Sequence, residues 1–305
     1  MSRFLALGEI MVELAPAPGG LMRQGFAGDT FNTAWYARRL LPADWGVSYG
    51  TVIGEDAISD AMAAFIADED IGTDALARHP ERTVGLYMIS LKDGERSFSY
   101  WRGQSAAKTL GDDPARLARM LEGRSHIHFS GITLAILAPE ARRTFCAALA
   151  EAREAGARVS FDTNLRPRLW ESADAMRDGL TLGASVADTV LPSFDEEESI
   201  FPDATPQDTV TRYADGGATC VVVKNGGAAV TAWSVQEGHV TVTPPKVETV
   251  TDSTAAGDSF AAGFLAAHAL GASLKEATRE AASLASRVIQ HPGALAPQLF
   301  KGDRT

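Results

Sequence analysis

The feature that most constrains the fold is a regular alternation of short apolar runs with segments of helical period. The predicted strands are FLALGEIMVEL, VSYGTVI, HIHFSGI, ARVSFD, DTVLPS and TCVVVKN. The predicted helices between them are TFNTAWYARRLL, ISDAMAAFIADED, PEARRTFCAALAEAREAG, ADAMRDGLTLGASV and TPQDTVTRYADGG. Such alternation forms βαβ units, so the sequence predicts an α/β fold with a mostly parallel central sheet flanked by helices. Ligands bind these sheets at the carboxyl ends of the strands.

One segment, TVGLYMISLKDGERSFSYWR, departs from this alternation. Two runs of alternating bulky residues flank Lys92-Asp93-Gly94, which is a hairpin pattern. It is either a decorative edge hairpin or a small β lid over a ligand site. Its unusual content of aromatic and basic residues favours the lid: Tyr87, Tyr100, Trp101 and Arg102. Because the sequence contains no repeat, low-complexity tract or linker, we expect residues 1–305 to form one domain.

Charge and composition narrow the possible partners. The 305 residues include 28 Lys and Arg against 39 Asp and Glu, a formal net charge of −11 without a basic block. We therefore expect neither nucleic acid nor a membrane surface as a partner, and an anionic substrate would need locally placed arginines. Glu9 and Glu13 interrupt the apolar N-terminal stretch, so we expect no signal peptide, no membrane span and a cytoplasmic protein. Cys146 and Cys220 form no CxxC and are expected to be buried thiols.

Residues 252–264, DSTAAGDSFAAGF, follow a predicted strand-forming stretch, HVTVTPP and then KVETV, and place small residues and two acids around the start of a predicted helix. Unobstructed N–H groups at a helix N-terminus suit an anion, most commonly phosphate. Asp258 has two interpretations there. It is either an N-cap of the helix, or a carboxylate that takes the proton from a hydroxyl attacking a phosphoryl group. In the second case we expect the helix N-terminus to lower its pKa, and Gly263 to let the helix pack close to the sheet.

Several other catalytic motifs are absent from the sequence. Without GxxxxGK[ST] the chain is not a P-loop enzyme, and without GxGxxG a dinucleotide-dependent oxidoreductase is a distant possibility. HRD, DFG, GxSxG and HExxH are also missing. His126 and His128 share one face of a strand, but the sequence offers no third ligand, so we expect no metal site there.

DSTAAGDSFAAGF resembles the DTxGAGD loop of the ribokinase-like carbohydrate kinases, also called the PfkB family. The resemblance extends from about Phe4 to about Gln290. GFAGDTFNTAWYARRL is similar to the family's sugar-binding turn and helix, and VVVKNGGAAV to its KxGxxG strand beside the nucleotide, with Ala229 at the final glycine. SFDE stands where the family has NxxE, with Ser193 replacing the asparagine. The resemblance implies a ribokinase-like fold with a lid built from about residues 9–27 and 82–104.

The resemblance also implies ATP and Mg²⁺ as cofactors and a role for each matching residue. Asp258 is the implied base, and the anion hole falls on Ala255, Ala256, Gly257 and Asp258. The implied sugar-binding residues are Gly28, Asp29, Thr30 and Asn32, although Asp29 or Thr30 capping the following helix is the structural alternative. Those implied at the nucleotide are Asn164, Arg166, Ser193, Lys224, Gly226, Gly227 and the loop residues 255–257. Glu196 is the implied magnesium ligand.

Within the family, four stretches are most similar to the branch that phosphorylates 2-keto-3-deoxygluconate: GDTFNTAWYARR, GERSFSYWR, SGITLAI with FDTNLRPRLW, and AAGDSF. This substrate carries a carboxylate, for which an arginine with fork geometry is suited. Arg102 and Arg166 are the candidates, with Tyr87 and Tyr100 beside them on the lid. Another sugar kinase, of the fructokinase or ribokinase type, and a non-catalytic sensor on the same fold are the alternatives. The apolar face of a small lid also favours a homo-oligomer.

Overall fold

Two β-sheets, one large and one small, organise the chain. The structure is a computed structural model that describes residues 2–92 and 95–300. The strands of the large sheet are β1 (Arg3–Leu7), β4 (Gly46–Gly54), β5 (Leu76–His79), β8 (His126–Ser130), β9 (Arg158–Asp162), β10 (Thr189–Val190), β11 (Cys220–Val223), β12 (Val230–Ser234) and β13 (Gly238–Val242). Those of the small sheet are β2 (Met11–Ala17), β3 (Leu21–Ala27), β6 (Leu86–Lys92) and β7 (Glu95–Trp101).

The large sheet is mostly parallel, as predicted. In the described part of the chain its order is β13-β12-β11-β10-β9-β8-β1-β4-β5. All strands from β11 to β5 pair in parallel, and the hairpin β12–β13 adds an antiparallel edge. The parallel strands therefore end at one common edge, where Ser130 of β8 is in register with Asp162 of β9.

Helices cover both faces of the large sheet. They are α1 (Asp29–Leu40), α2 (Ala57–Asp68), α3 (Pro114–Leu121), α4 (Gly131–Ile136), α5 (Pro139–Glu154), α6 (Ala173–Ser185), α7 (Phe194–Glu197), α8 (Pro206–Asp215), α9 (Ala256–Ala269) and α10 (Leu274–Val288). Successive side chains of a strand point to opposite faces. Leu5 of β1 accordingly packs in one core cluster with Phe145 of α5, whereas Phe4 packs in another with Trp35 of α1. None of the described helices is long and apolar enough to cross a membrane.

The small sheet has the order β3-β2-β6-β7 within the described residues, with β2 and β6 parallel and the two hairpins antiparallel. The predicted hairpin over TVGLYMISLKDGERSFSYWR is therefore present as β6 and β7, although Asp93 and Gly94 of its turn lie outside the described residues. Met11, Tyr87 and Ile89 pack together against Ala294. The sheet is built from residues inside the two ranges predicted for a lid, and its closure over the site stays a prediction.

Three predictions about local structure were wrong. FLALGEIMVEL forms two strands in different sheets, because the chain leaves β1 at Gly8 and enters β2 at Met11. The stretch 246–250, KVETV, is not a strand; Pro244 and Pro245 precede it and cannot donate to a sheet. Gly263 brings α9 close to α10 instead of the sheet, since a Cβ there would lie 2.9 Å from the Cα of Ala281.

Candidate active site

A cavity of about 1120 Å³ lies between the carboxyl ends of the parallel strands and the small sheet. The strand ends contribute Asp162 at the end of β9, Ser193 after β10 and Lys224 after β11. The start of α9 and the small sheet supply the remaining walls, with Ala255, Ala256, Gly257, Asp258, Tyr87, Phe98, Tyr100 and Arg102. The cavity is thus at the edge of the sheet where ligands of α/β proteins bind.

The start of α9 differs from the N-cap interpretation. Ala255 is the N-cap residue, at φ 60° and ψ 17°, and its side chain makes no capping hydrogen bond. Asp258 lies inside the first turn and does not cap the helix; its Oδ2 accepts a hydrogen bond from Asn32 Nδ2 at 2.7 Å. The left-handed conformation of Ala255 carries a steric cost that glycine lacks. The first acid of the loop, Asp252, is structural, because it accepts from the backbone N–H groups of Thr254 and Gly293.

The N–H groups in the first turn of α9 lie close to the ammonium group of Lys224. The N–H of Ala256 donates to Ser253 O at 3.2 Å, whereas those of the next residues, Gly257 and Asp258, belong to the first turn of the helix and are donors suited to an anion. Lys224 Nζ is held by both carboxylate oxygens of Asp162, at 2.8 and 2.9 Å. A Cβ built on Gly257 would lie 3.5 Å from that Nζ. The arrangement suits a phosphoryl group between the loop and the lysine.

The pKa of Asp258 is raised well above its usual range, contrary to the expectation that the helix would lower it. Its side chain lines the cavity and is half-buried, so the surrounding protein limits its hydration. This desolvation is the main cause, and the negative charge of Asp29 adds to it. The hydrogen bond from Asn32 and the charge of Lys224 act in the opposite direction and are outweighed. The helix terminus is only one of several influences on this carboxylate.

The predicted sugar-binding residues divide into two groups. Gly28, Asp29 and Asn32 line the cavity, and Asp29 Oδ2 accepts from Asn164 Nδ2 at 2.8 Å. Thr30 is fully buried behind this wall, with its hydroxyl 3.0 Å from Tyr49 Oη, and its assignment to the substrate is corrected. Helix α1 has Gly28 as its N-cap without a side-chain hydrogen bond, so neither alternative capping residue acts as one.

Both predicted carboxylate-binding arginines line the cavity, and each is paired with an acid. Arg102, after β7, forms an ion pair with Glu9, and their side chains are only 13% and 1% exposed. Arg166 is half exposed, and its Nη1 lies 2.8 Å from Glu196 Oε1. The second oxygen of Glu196 accepts from the Leu165 N–H at 3.0 Å. The arginines are therefore at the cavity but not free cations.

The tyrosines of the small sheet differ in exposure. Tyr87 is buried, and its hydroxyl donates to the Glu13 carboxylate; burial and that carboxylate raise the pKa of Tyr87 far above its usual value. Tyr100 lines the cavity and is 55% exposed. The pair thus presents one fixed and one accessible ring to a ligand.

Among the described residues no group of three His, Cys, Asp or Glu side chains could hold a metal ion. His128 is buried and lies 3.0 Å from Ser160 Oγ, and burial lowers its pKa to about 4. The His126 ring packs against Trp45. Cys146 and Cys220 are free and buried, and burial raises the pKa of each thiol to about 12.

Sequence reasoning missed two residues of the site and placed two others differently. Asp162 holds Lys224, and its position at the end of a predicted strand was the available signal. Glu9 was hidden because the sequence around it reads as one strand. Gly226 and Gly227 lie exposed in the turn after Lys224, beyond the cavity lining, so their contact with a nucleotide stays a prediction.

Comparison with known proteins identifies the chain's family. A family model described as pfkB family carbohydrate kinase matches residues 1–299. The chain belongs to the pfkB family of carbohydrate kinases. This confirms the predicted family, and with it the expectation of an enzyme that phosphorylates a carbohydrate.

Similar proteins support the assignment across the whole pfkB fold. A 2-dehydro-3-deoxygluconokinase of Escherichia coli K12 is 37% identical, with 98% of each chain covered. A fructokinase of Klebsiella pneumoniae is 31% identical and covers 85% of this chain and 82% of its own. The crystal structure of a PfkB protein from Polaromonas sp. JS666 has a TM-score of 0.85 at 28% identity, with both chains fully covered. That of a Xylella fastidiosa fructokinase with bound ATP has a TM-score of 0.81 at 25% identity, covering 96% of this chain and 93% of that one. The predicted ribokinase-like fold is confirmed.

Proposed function

We propose that this pfkB family member transfers the γ-phosphoryl group of ATP to the 6-hydroxyl of 2-keto-3-deoxygluconate (2-dehydro-3-deoxygluconate). The products are 2-keto-3-deoxy-6-phosphogluconate and ADP. The observation that carries the proposal is one cavity that brings together Asp258, the start of α9, Lys224 and two arginines. The similarity to kinases named for this substrate supports the choice of a sugar acid.

Asp258 is suited to act as the proton acceptor. As the 6-hydroxyl oxygen forms its bond to the γ-phosphorus, its proton passes to the Asp258 carboxylate, and the bond from γ-phosphorus to the bridging oxygen breaks to release ADP. The raised pKa makes the ionised carboxylate a stronger proton acceptor than an ordinary aspartate. The N–H groups of Gly257 and Asp258, together with Lys224 Nζ close to Gly257, are suited to stabilise the negative charge that develops on the transferred group.

Asp29, Asn32 and Asn164 provide the polar contacts for the sugar hydroxyls. Asp29 and Asn164 bond to each other at 2.8 Å, and Asn32 holds Asp258 at 2.7 Å. A hydroxyl bound among them lies beside the proton acceptor, which favours reaction by fixing the two groups together. Glycine at position 28 allows the backbone to pass close to Glu9, since a Cβ there would lie 2.1 Å from the Glu9 carbonyl oxygen.

Arg102 and Arg166 provide the positive charge that a carboxylate substrate needs in a chain of net charge −11. They enter the cavity from different elements, Arg102 from the small sheet and Arg166 from the segment after β9. Arg166 also pairs with Glu196 and lines the same cavity as Asn164, and we assign it a second role at the nucleotide phosphates. Closure of the small sheet, with Tyr87 and Tyr100, would exclude water from these contacts.

Glu196 is the residue that would hold Mg²⁺. A magnesium ion commonly takes one or two protein carboxylates and completes its shell with phosphate oxygens and water. Glu196 lines the cavity next to Ser193, and one protein carboxylate of this kind fits that donor set without a cluster of three acids around it. When bound, the ion would neutralise part of the phosphate charge. In this arrangement Arg166 would have to share Glu196 with the metal.

We also propose a homo-oligomer in the cytoplasm. Large apolar side chains of the small sheet are exposed, among them Leu21 at 69% and Trp101 at 58%. A second copy that covered them would remove this apolar surface from water. The free thiols Cys146 and Cys220 and the use of ATP are compatible with a reducing cytoplasm. Light scattering across a range of protein concentrations tests the oligomer.

The experiment that tests the function measures ADP release with ATP and a panel of sugars and sugar acids. The account predicts the highest kcat/KM with 2-keto-3-deoxygluconate. A higher value with fructose or ribose would favour the second candidate, a neutral-sugar kinase, which the similarity to fructokinases makes worth testing. Binding of ATP without turnover of any sugar would favour a sensor.

Arginine variants test whether the carboxylate is recognised where we propose. A charge-assisted hydrogen bond contributes roughly 1.5–3 kcal/mol, or about 10–150-fold in kcat/KM. Arg102→Met and Arg166→Met should each lower the ratio of kcat/KM for the acid to that for 3-deoxyfructose, which has CH₂OH in place of the carboxylate. Only Arg166→Met should also raise KM for ATP. An unchanged ratio in both variants would mean that the carboxylate is bound elsewhere.

A further inference from the structure

Glu9 is a buried acid with no role so far in the proposed reaction. It lies in the segment between β1 of the large sheet and β2 of the small sheet, and it is 2% exposed. Its ion-pair partner Arg102 directly follows β7, where the chain returns from the small sheet. The pair therefore joins two of the segments that connect the small sheet to the rest of the chain.

The surroundings of the pair are tightly filled. A Cβ on Gly28, at a third connection, would lie 2.1 Å from Glu9 O. One on Gly85, just before β6, would lie 2.8 Å from Glu9 Oε1 and 3.2 Å from Arg102 Cβ. All four connecting segments thus meet around Glu9, and no larger side chain fits at these glycines without movement.

Each charge of the pair depends on the other. In the part of the chain that the structure describes, Glu9 Oε1 and Arg102 Nε are buried without a hydrogen-bond partner. Moving Arg102 away would leave Glu9 as an unpaired buried anion, which is strongly unfavourable. Arg102 is therefore held at the cavity wall and is not available to swing out towards solvent.

We propose that Glu9 is a positioning residue for recognition of the substrate carboxylate. It contacts Arg102 through Nη2 and so fixes the guanidinium at the cavity wall. The planar fork of arginine has five N–H donors, enough to serve an internal and an external carboxylate at once. The inference rests on the proposed function, because it requires Arg102 to bind an acid.

The buried ion pair determines whether Glu9→Gln should strengthen or weaken binding of the acid. If Glu9 were merely a competing anion that Arg102 leaves on binding, Glu9→Gln would tighten binding of the acid. Arg102 cannot move away without leaving Glu9 as an unpaired buried anion. Loss of the Glu9 charge should therefore let Arg102 move more freely and lower kcat/KM for the acid. The two mechanisms therefore predict opposite changes in the same ratio.

The test is a double-mutant cycle on Glu9→Gln and Arg102→Met, read as the ratio of kcat/KM for 2-keto-3-deoxygluconate to that for 3-deoxyfructose. Glu9→Gln should lower the ratio about 10-fold, mainly through KM for the acid. In the Arg102→Met background the same change should have no further effect. Asp74→Asn is the matched control: it breaks the Asp74–Arg124 pair, 2.5 Å long and away from the cavity, and should leave the ratio unchanged.

Glu9→Asp keeps the charge but withdraws it by one methylene, and it serves if Glu9→Gln does not fold. It should lower the ratio roughly threefold. A raised or unchanged ratio in the folded Glu9 variants, with a lowered ratio in Arg102→Met, would overturn the role of Glu9 alone. So would an equal effect of Glu9→Gln with and without Arg102. An unchanged ratio in Arg102→Met, or absence of activity on the acid in the parent enzyme, would instead refute the proposed function of this arginine.

Discussion

Asp258→Asn removes the proposed proton acceptor while keeping the size and shape of the side chain. The substituted amide oxygen can still accept the hydrogen bond that Asn32 Nδ2 donates over 2.7 Å, so the wall of the cavity should be preserved. General-base catalysis contributes about 10²–10⁴-fold in rate, or about 2.7–5.5 kcal/mol of transition-state stabilisation. We therefore expect kcat to fall by this factor, with the dissociation constant of ATP little changed.

The same substitution should raise stability near neutral pH. Burial and Asp29 raise the pKa of Asp258, so the folded state favours its neutral form. The contribution of this preference to the stability of the folded state is fully present below the pKa of the unfolded state, about 3.9. It is lost as the pH rises through the pKa of the folded state. Asparagine does not titrate, so the variant should melt higher than the parent at pH 7–8, and the gain should shrink towards pH 4.

Coupled ADP-release kinetics, ATP titration calorimetry and melting curves at both pH values check these expectations. The Asn32→Ala variant is a useful comparison, because it removes the hydrogen bond to Asp258 but not the carboxylate. A well-folded Asp258→Asn protein with kcat close to the parent would refute the assignment of the base. A lower melting temperature at pH 7–8 would contradict the argument about its environment.

Four further substitutions test the site. Asp29→Asn should move the acid limb of the pH profile of kcat/KM to lower pH, since it removes a charge that raises the pKa of Asp258. Lys224→Met should move that limb to higher pH, because the lysine charge lowers the same pKa. Profiles equal to that of the parent would contradict both expectations. Ala255→Gly should raise stability by about 0.5–1 kcal/mol in denaturant titrations, because φ is 60°, and a loss would mean that the residue is not strained. Gly257→Val should lower kcat/KM about 10²-fold by crowding the space beside Lys224, with little change in melting temperature; equal destabilisation with and without ATP would make the residue structural.

Local patterns were sufficient for most elements of the large sheet and its helices. Each buried parallel strand is a short apolar run, and each covering helix has an apolar period, so the alternation identifies both without tertiary information. The hairpin β6–β7 was also predictable from local sequence, because two runs of alternating bulky residues flank a turn pattern. The division of FLALGEIMVEL was not, because Gly8, Glu9 and Ile10 do not interrupt the apolar pattern enough to reveal that two sheets are involved.

The motif residues of the site were predictable, whereas their electrostatic state was not. Asp258 follows a recognisable small-residue loop, but its pKa depends on Asp29, a residue 229 positions earlier in the chain, and on burial. Thr30 belongs to a polar cluster in sequence, yet the orientation of α1 turns it towards Tyr49. The pairing of Arg102 with Glu9 joins two distant segments, and no local pattern announces it.

Identification of the phosphorylated product tests the central claim most directly. The parent enzyme is incubated with ATP, Mg²⁺ and 2-keto-3-deoxygluconate, and phosphorus and carbon NMR spectra locate the new phosphate while ADP is quantified. The account predicts one phosphate ester at C6 and one ADP for each sugar acid consumed. ADP released without a phosphorylated sugar acid, or a phosphate on another hydroxyl, would contradict it.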